Sequence, residues 1–212
     1  MSRLRLLLIS SLVALAVGAV ASASASAAFK KEFFVEKAAV TTPVAVVGGS
    51  SAASKLEAKL FGVKVKIECA SSTYTGTLEA AGASTGTISF SGCTGKAAAK
   101  DKCKVVEPIK AELDDQLVEV KKALQDEFSP ASGGIFVEIT IEAETGGTCS
   151  VAGTFEVTGT QTCELPGSTT EATEHEIVCK PVKTLKLGGE EAKFTSTQTI
   201  TTEAPHKEFS AQ

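Results

Sequence analysis

The stretch Ala111-Glu112-Leu113-Asp114-Asp115-Gln116-Leu117-Val118-Glu119-Val120-Lys121-Lys122-Ala123-Leu124-Gln125-Asp126-Glu127-Phe128 decides between two fold classes. Its apolar residues recur at helical spacing, with good helix formers between them, which predicts a helix. In the alternative, Lys121-Lys122 is the turn of a hairpin between strands at 116–120 and 123–128, and Ser129-Pro130 ends the second strand. Helix propensity amounts to only a few tenths of a kcal/mol per residue, so the surrounding chain has to decide.

That surrounding chain is rich in strand patterns. Residues 63–69 alternate between apolar and charged, with Cys69 on the inner side. Residues 73–78 and 85–90 are typical of a hairpin around 80–84, with Gly82 in the loop. Further strands are predicted at 135–144 (Val137, Ile139 and Ile141 inward), 151–162, 176–187 and 193–202. Short strands without a βαβ rhythm predict an all-β antiparallel sandwich or barrel, and they favour strands at 111–128 over a single helix at 111–126.

The first 28 residues have the order of a secretory signal peptide. A basic start with Arg3 and Arg5 precedes an apolar run from Leu6 to about Ala21 and a small-residue segment that ends at Ala28. The apolar run is shorter than the roughly 20 residues that span a bilayer, so we expect cleavage after residue 27 or 28, secretion, and no membrane span in the mature protein. We expect an N-terminal arm at 29–54 with one edge strand around 44–47, and a single β-rich domain at 55–212 with a frayed C-terminal tail.

Charge argues against a nucleic-acid partner. The only arginines are Arg3 and Arg5, so the mature chain carries 19 lysines against 25 acidic residues, a net charge of −6. Nucleic acid attracts basic surfaces, and its specific readers use the arginine fork. The chain has no Trp, and Tyr74 is its only tyrosine, so stacking platforms for sugars are scarce.

Six cysteines in an exported chain predict three disulfides. Metal is the competing interpretation, but no C-x-x-C or H-x-x-x-H pair is present, so we expect no metal site and no cofactor. Cys93 and Cys103 close a short Gly/Ala/Lys loop and are predicted to pair. The remaining predicted pairs are Cys69–Cys149 and Cys163–Cys179.

Several pieces of the chain carry a resemblance. Ile67-Glu68-Cys69 is followed by the Thr/Gly-rich 72–77, then by Ile88-Ser89-Phe90-Ser91-Gly92-Cys93, and later by the leucine stretch that runs to Ser129-Pro130. Over roughly residues 55–150 the chain resembles an uncharacterised group of exported actinobacterial proteins. The resemblance implies an all-β fold with the leucine stretch as paired strands, and it implies no activity. Similar chains often carry four of the cysteines, which makes Cys163 and Cys179 an extra pair.

Catalytic constellations are weak. His175 and His206 are the only imidazoles, and both lie in charged segments where we expect solvated surface groups. Three carboxylate pairs could serve a hydrolase that cleaves glycosides. They are Asp114-Asp115, Glu138/Glu142 and Glu190-Glu191. A solvent-facing strand produces such pairs without any function, so we expect no catalytic residue.

Threonine occupies alternate positions in three segments, which places each set on one face of a strand. The sets are Thr73/Thr75/Thr77, Thr158/Thr160/Thr162 and Thr195/Thr197/Thr199/Thr201. Threonine is a favoured strand former, which accounts for the rows without a function. If the strands were neighbours, the rows would instead form a hydroxyl-methyl array able to dock on a repetitive surface.

The sequence therefore predicts an exported, non-catalytic interaction or structural domain of the cell exterior or envelope, with an unidentified cell-surface or protein partner. A hydrolase that uses glutamate carboxylates and a surface-binding protein that uses the threonine rows are the alternatives.

Overall fold

A computed structural model describes residues 29–50 and 52–212, and the predicted signal peptide lies outside them. Within those residues the protein is built from β-strands, with one 3-10 helix at Ala80–Gly82. The strands in chain order are β1 Phe33–Val35, β2 Ala38–Ala39, β3 Val44–Ser50, β4 Ser54–Leu60, β5 Val63–Leu78, β6 Ala83–Lys96, β7 Cys103–Val105, β8 Ile109–Val120, β9 Ala123–Pro130, β10 Ile135–Ala143, β11 Gly153–Thr158, β12 Gln161–Glu164, β13 Glu174–Cys179, β14 Lys186–Leu187, β15 Glu190–Glu191, β16 Lys193–Thr202 and β17 Phe209–Ala211.

Eight antiparallel strands close into a barrel. Around the ring the order is β3, β5, β6, β8, β9, β12, β13, β16 and back to β3. Along each strand the side chains alternate between the barrel interior and the outer face. In β8, for example, Ala111 and Leu113 are buried while Glu112 and Asp114 are exposed. The all-β prediction is confirmed, and of its two forms the barrel is the one that the chain adopts.

The N-terminal segment takes part in the barrel wall. β3 and β4 follow one another along the same line opposite β5, and β16 pairs with both of them. The strand around 44–47 is therefore held between two neighbours, whereas the sequence predicts an edge strand in a peripheral arm. Its apolar residue Val46 is 1 % exposed, which shows that this strand supplies part of the core.

An extension of the large sheet and one separate small sheet cover the barrel. β7, β10, β11, β14 and β15 extend the large sheet beyond β6, and the strand pair β10–β11 lies over one end of the barrel. A three-stranded sheet of β17, β1 and β2 covers the other end. There the carbonyl of Lys31 packs on Gly82, which in turn packs on Leu117. Phe209–Ala211 thus form a paired, buried strand, whereas the sequence predicts a frayed C-terminal tail.

The deciding stretch forms a hairpin. β8 and β9 pair from Leu113 opposite Pro130 to Val120 opposite Ala123, with Lys121-Lys122 as the two-residue turn. Charged residues at alternate positions of β8 face solvent. Of the apolar residues that fit helical spacing, Leu113, Leu117, Leu124 and Phe128 face the interior, while Val120 is on the outward side. Tertiary context has overridden helix propensity, as the strand interpretation expects.

Three disulfides hold the sheets. They are Cys69–Cys93, Cys103–Cys149 and Cys163–Cys179, so only the third predicted pairing is confirmed. The predicted Cys93–Cys103 bond is wrong because β6 continues past Cys93 in register with β5, which sets Cys93 directly opposite Cys69. Cys69 therefore bonds to Cys93 and not to Cys149, and Cys149 bonds to Cys103.

In the part of the chain that the structure describes, no helix is long and apolar enough to cross a membrane.

Candidate functional site

An apolar cavity of about 130 Å³ lies among the inward side chains of the barrel. Barrel strands line it on one side, and β10, β11 and the segment before β14 close it on the other. Its principal lining residues are Ile67, Ile88, Phe90, Ile109, Ala111, Leu113, Phe128, Phe136, Ile139, Val157, Ile177, Leu185 and Phe194. These residues sit at inward positions, where strand alternation places apolar side chains.

The cavity wall presents almost no polar surface. Phe90 and Phe194 meet edge to face across it, with their ring centroids 6.0 Å apart. Ser54, Gln161 and Gln198 also line the cavity but expose almost no polar surface to it, so water finds few hydrogen-bond partners and is disfavoured there. The space suits a small apolar molecule.

Tyr74 separates the cavity from a polar layer in the middle of the barrel. Its ring lines the cavity, and its hydroxyl donates to Asp115 Oδ2 at 3.4 Å. The ring lies against Gly76 and Gly86, where a Cβ atom would come within 2.5 and 2.4 Å of the Tyr74 hydroxyl oxygen. Glycine at both positions is therefore what lets this tyrosine fit inside the barrel. Ser84 Oγ also donates to Asp115 Oδ2, at 3.2 Å.

Asp115 and Asp126 form a buried pair of carboxyl groups on neighbouring strands. Burial raises the pKa of Asp115 to about 9, with a further contribution from the charge of Asp126, while the hydrogen bonds from Ser84 and Tyr74 act in the opposite direction. Burial raises the pKa of Asp126 to about 7. Burial and the two carboxyl groups also raise the pKa of the Tyr74 hydroxyl. At neutral pH this layer therefore holds at least one carboxyl proton.

A second polar chain crosses the interior beside the cavity. Ser72 Oγ donates to Gln198 Oε1 at 2.9 Å, and Gln198 Nε2 donates to Ser196 Oγ at 2.8 Å. The Ser196 hydroxyl then pairs with the Ser54 hydroxyl at 2.8 Å. These mutual hydrogen bonds satisfy buried polar groups and tie β4, β5 and β16 together.

The structure scatters the carboxylate pairs that the sequence suggested. Asp114 is exposed while Asp115 points into the barrel, because adjacent strand residues face opposite sides. Glu138 and Glu142 are exposed on β10, where Glu142 pairs with Lys104 at 3.1 Å. Both residues of the pair at 190–191 are exposed on β15. None of these carboxylates lines the cavity.

The two histidines have different surroundings. His206 is exposed, as expected, and its Nδ1 is 2.7 Å from the Thr202 carbonyl oxygen. His175 is 5 % exposed, so the prediction of a solvated surface group is wrong for it. Its Nε2 lies 2.6 Å from the Phe209 carbonyl oxygen, and its ring packs edge to face on the Phe209 ring at 4.5 Å. β17 covers this imidazole, which the sequence could not show while the tail was expected to fray.

Sequence reasoning missed Asp126 entirely. Its signal is visible in retrospect, because Leu124, Asp126 and Phe128 share one side of a strand and the first and last are apolar. An acidic residue between two inward apolar positions indicates a buried carboxyl group, but only once the segment is known to be a strand.

Two of the threonine rows lie on the outer face of the barrel. The row of β5 faces outward next to Thr85 and Thr87 of β6, and the row of β16 is one strand away, across β3. The third row is divided between β11, the following turn and β12, at another place on the molecule.

No protein-family model, no curated protein and no solved structure matches the chain. Over residues 29–50 and 52–212, no group of three or more His, Cys, Asp or Glu side chains is arranged to hold a metal ion. The candidate site is therefore defined by its own geometry, an apolar cavity under a buried carboxyl layer inside a disulfide-bonded barrel.

Proposed function

We propose that this protein is an exported, non-catalytic binding protein that holds one small apolar molecule inside its barrel. The observation that carries the proposal is the cavity of about 130 Å³ with an almost wholly apolar wall. Well-packed interiors rarely leave voids larger than a water molecule, so a space of this size costs stability unless something fills it.

The size and the wall define the class of ligand. Apolar cavities of about 150 Å³ take up benzene or xenon. A compact aromatic or branched aliphatic molecule of about six to eight heavy atoms suits this cavity on the same scale. The wall presents almost no polar surface to such a ligand, although Lys55 is among the lining residues, and Tyr74 lies between the cavity and the carboxyl pair.

The buried carboxyl pair does not favour the hydrolase alternative. Asp115 and Asp126 lie behind the lining of the cavity, so a glycoside placed there would not meet them. Hydrolysis of a glycosidic bond also needs a water molecule, which an apolar cavity disfavours.

Three disulfides support a place outside the cytoplasm, where such bonds persist. Secretion through the predicted signal peptide, and membership of the exported actinobacterial group, are parts of the proposal that rest on the sequence patterns alone.

Binding is tested by thermal unfolding with benzene, toluene and indole as probes. A ligand that binds only the folded state raises the midpoint of thermal unfolding once its concentration exceeds its Kd. At a concentration of about 100 Kd, the free energy of unfolding rises by about 2.7 kcal/mol. The variant Ala111→Leu adds three carbon atoms to the cavity wall and should remove the response. Ala143→Leu, at an exposed position of β10, is the matched control and should keep it.

No midpoint shift with any of the three probes would overturn the proposal, as would equal shifts in Ala111→Leu and the control. If Ala111→Leu does not fold, crystals of the unmodified protein under xenon pressure provide the decisive measurement. Xenon density within the cavity supports the proposal, and a cavity without xenon contradicts it.

A further inference from the structure

An uncharged, hydroxyl-rich wall covers half of the barrel circumference. We define the hydroxyl wall as one stretch of outward positions on β16, β3, β5 and β6. They are Thr197, Thr199, Thr201, Ala45, Val47, Gly49, Ser71, Thr73, Thr75, Thr77, Thr85, Thr87, Ser89 and Ser91. These residues are exposed or half-buried, and none of them carries a charge. Beyond this stretch β5, β6 and β16 carry charged outward residues, which are Lys64, Lys66, Glu68, Lys96 and Lys193.

Strand register aligns the hydroxyl wall into rows. One row runs from Thr201 through Val47 and Thr75 to Thr87. The next runs parallel to it, from Thr199 through Gly49 and Thr73 to Ser89. Neighbouring strands lie about 4.8 Å apart, so the hydroxyl and methyl groups repeat at a fixed spacing around the wall.

The wall ends abruptly at charged strands. On one side Glu174 and Glu176 of β13 lie opposite Thr201 and Thr199. On the other side the outward residues of β8 that face the wall are Lys110, Glu112 and Asp114. Strand propensity explains threonine, but it does not explain why charged residues are frequent on the outer face of β8 and absent from the adjoining stretch of the four wall strands. The absence of charge is a property of this surface.

We propose that the hydroxyl wall docks on an uncharged polysaccharide. A surface with no charge matches a partner with no charge, because a charged partner would lose hydration without gaining an ion pair. A threonine hydroxyl can donate one hydrogen bond and accept others, as sugar hydroxyls do, and its methyl group can pack on the C–H faces of sugar rings. The Thr85 hydroxyl already donates to Glu79 Oε1 and the Thr199 hydroxyl to the Gly49 carbonyl oxygen, both at 3.3 Å, so these two serve a sugar as acceptors. With Tyr74 inside the barrel, the wall has no aromatic platform, so many weak contacts along a repetitive chain have to supply the affinity.

A second copy of the protein fits this wall less well. Four strands at about 4.8 Å spacing and seven residues at about 3.4 Å rise cover roughly 400 Å². Stable interfaces bury about 800 Å² on each partner.

The test is co-sedimentation of the unmodified protein with microcrystalline cellulose, chitin and starch granules at low and high salt. We expect the protein to pellet with at least one of the three polysaccharides, with a retained fraction that high salt does not reduce, because no charges take part. The double variant Thr75→Lys/Thr87→Lys places two like charges at directly paired positions of the wall and should weaken binding by about tenfold or more.

The matched control is Thr158→Lys/Thr162→Lys, which adds the same charges on the threonine row that lies elsewhere, and it should pellet like the unmodified protein. If the paired lysines prevent folding, Thr75→Val/Thr87→Val keeps the shape of the strands, removes only the hydroxyl groups, and should also reduce the pelleted fraction. The inference is contradicted if the protein pellets with none of the three polysaccharides. It is also contradicted if the two lysine variants lose the same fraction of their binding. A dimer in gel filtration that Thr75→Lys/Thr87→Lys dissociates would assign the wall to a second copy and would also contradict it.

Discussion

At the scale of single residues, the pair Asp115 and Asp126 is the most costly feature of the interior. Two carboxylates in a dry barrel cannot both ionise without a large desolvation and repulsion cost. The groups that face Asp115 are the hydroxyls of Tyr74 and Ser84, which donate to it, and the structure places no cation beside the pair in the residues that it describes. One oxygen of each carboxyl group is buried without a hydrogen-bond partner. The pair is therefore stable only when it is at least partly protonated.

This state makes the free energy of unfolding depend on pH. In the unfolded chain both groups titrate near pH 4, whereas in the folded protein the pKa values are about 7 and about 9. The folded state therefore binds more protons than the unfolded state between these limits, so stability falls as pH rises through this range. Between pH 7 and pH 9 one extra proton corresponds to a slope of about 1.4 kcal/mol per pH unit.

Urea unfolding at pH 7, 8 and 9 measures the slope. Asp115→Asn removes one titrating group and supplies an N–H donor for Asp126, so its stability should change less over the same range. Asp114→Asn, at the adjacent exposed position, is the control and should keep the slope of the unmodified protein. A stability that is flat or rises from pH 7 to pH 9 in the unmodified protein would show that the pair is not protonated in the folded state.

The sequence could show Asp115 but not its partner. Asp114 and Asp115 are adjacent in the chain and therefore look like a pair, yet strand geometry sends them to opposite faces. Asp126 lies across the Lys121-Lys122 turn, so its proximity depends on the hairpin register. Helical spacing predicts no hairpin in this segment, whereas the strand patterns around it favour one, so the register could not be derived from this segment alone.

At the scale of elements, the tight turns show how strongly the strands determine the local backbone. Lys121 and Lys122 have φ values of 51° and 65°, so both central residues of the β8–β9 turn are left-handed. Such turns match the twist of the paired strands but strain residues that have a Cβ atom. The turn at Phe61-Gly62 has the same left-handed pair, at 52° and 82°, and there glycine occupies the second position.

Replacing Lys121-Lys122 by Asn-Gly should therefore stabilise the protein. Asn and Gly tolerate the left-handed region, and we expect a gain of about 1 kcal/mol in the free energy of unfolding. The control replaces Phe61-Gly62 by Asn-Gly. It should change the free energy of unfolding by less, because glycine, which tolerates the left-handed backbone, already occupies the second position of that turn. An unchanged or lower urea midpoint for the Lys121-Lys122 variant would mean that the turn is not left-handed.

The disulfides show which pairings depend on the fold. Cys163 and Cys179 are close in sequence and lie directly opposite one another in β12 and β13, so short spacing predicts them correctly. Cys93 and Cys103 are closer still, and their strands β6 and β7 pair with one another, but Thr94 lies opposite Lys104 and the two cysteines are out of register. Spacing estimates the cost of closing a loop, whereas the sheet register determines which Cβ atoms face one another.

At the scale of the whole molecule, one end of the barrel is covered by the three-stranded sheet of β1, β2 and β17, chain that looked peripheral in the sequence. The all-β class, the strand positions and the central hairpin could be predicted, because they follow from alternation along single strands. Ring closure, the cavity and the cap could not, because they depend on pairings between distant strands such as β16 with β3 and β17 with β1. Short strands at chain ends have little pattern of their own, and tertiary pairing alone makes them regular.

Phe209 tests whether the cap belongs to the cooperative fold. It is 2 % exposed, packs on His175 and lies in a strand whose backbone also bonds to the loop before β13, with the Phe209 N–H 2.9 Å from the Ala172 carbonyl oxygen. Phe209→Ala should lower the free energy of unfolding by about 3 kcal/mol, as expected for a buried phenylalanine. Phe61→Ala removes the same ring from a side chain that is 79 % exposed and should change the free energy of unfolding by about 0.5 kcal/mol or less.

Urea unfolding compares the two variants. Hydrogen exchange of the unmodified protein should show a protected amide at Ala211, which donates to the Ser168 carbonyl oxygen at 2.8 Å. Equal effects of the two substitutions together with rapid exchange at Ala211 would mean that the tail frays and leaves this end of the barrel open.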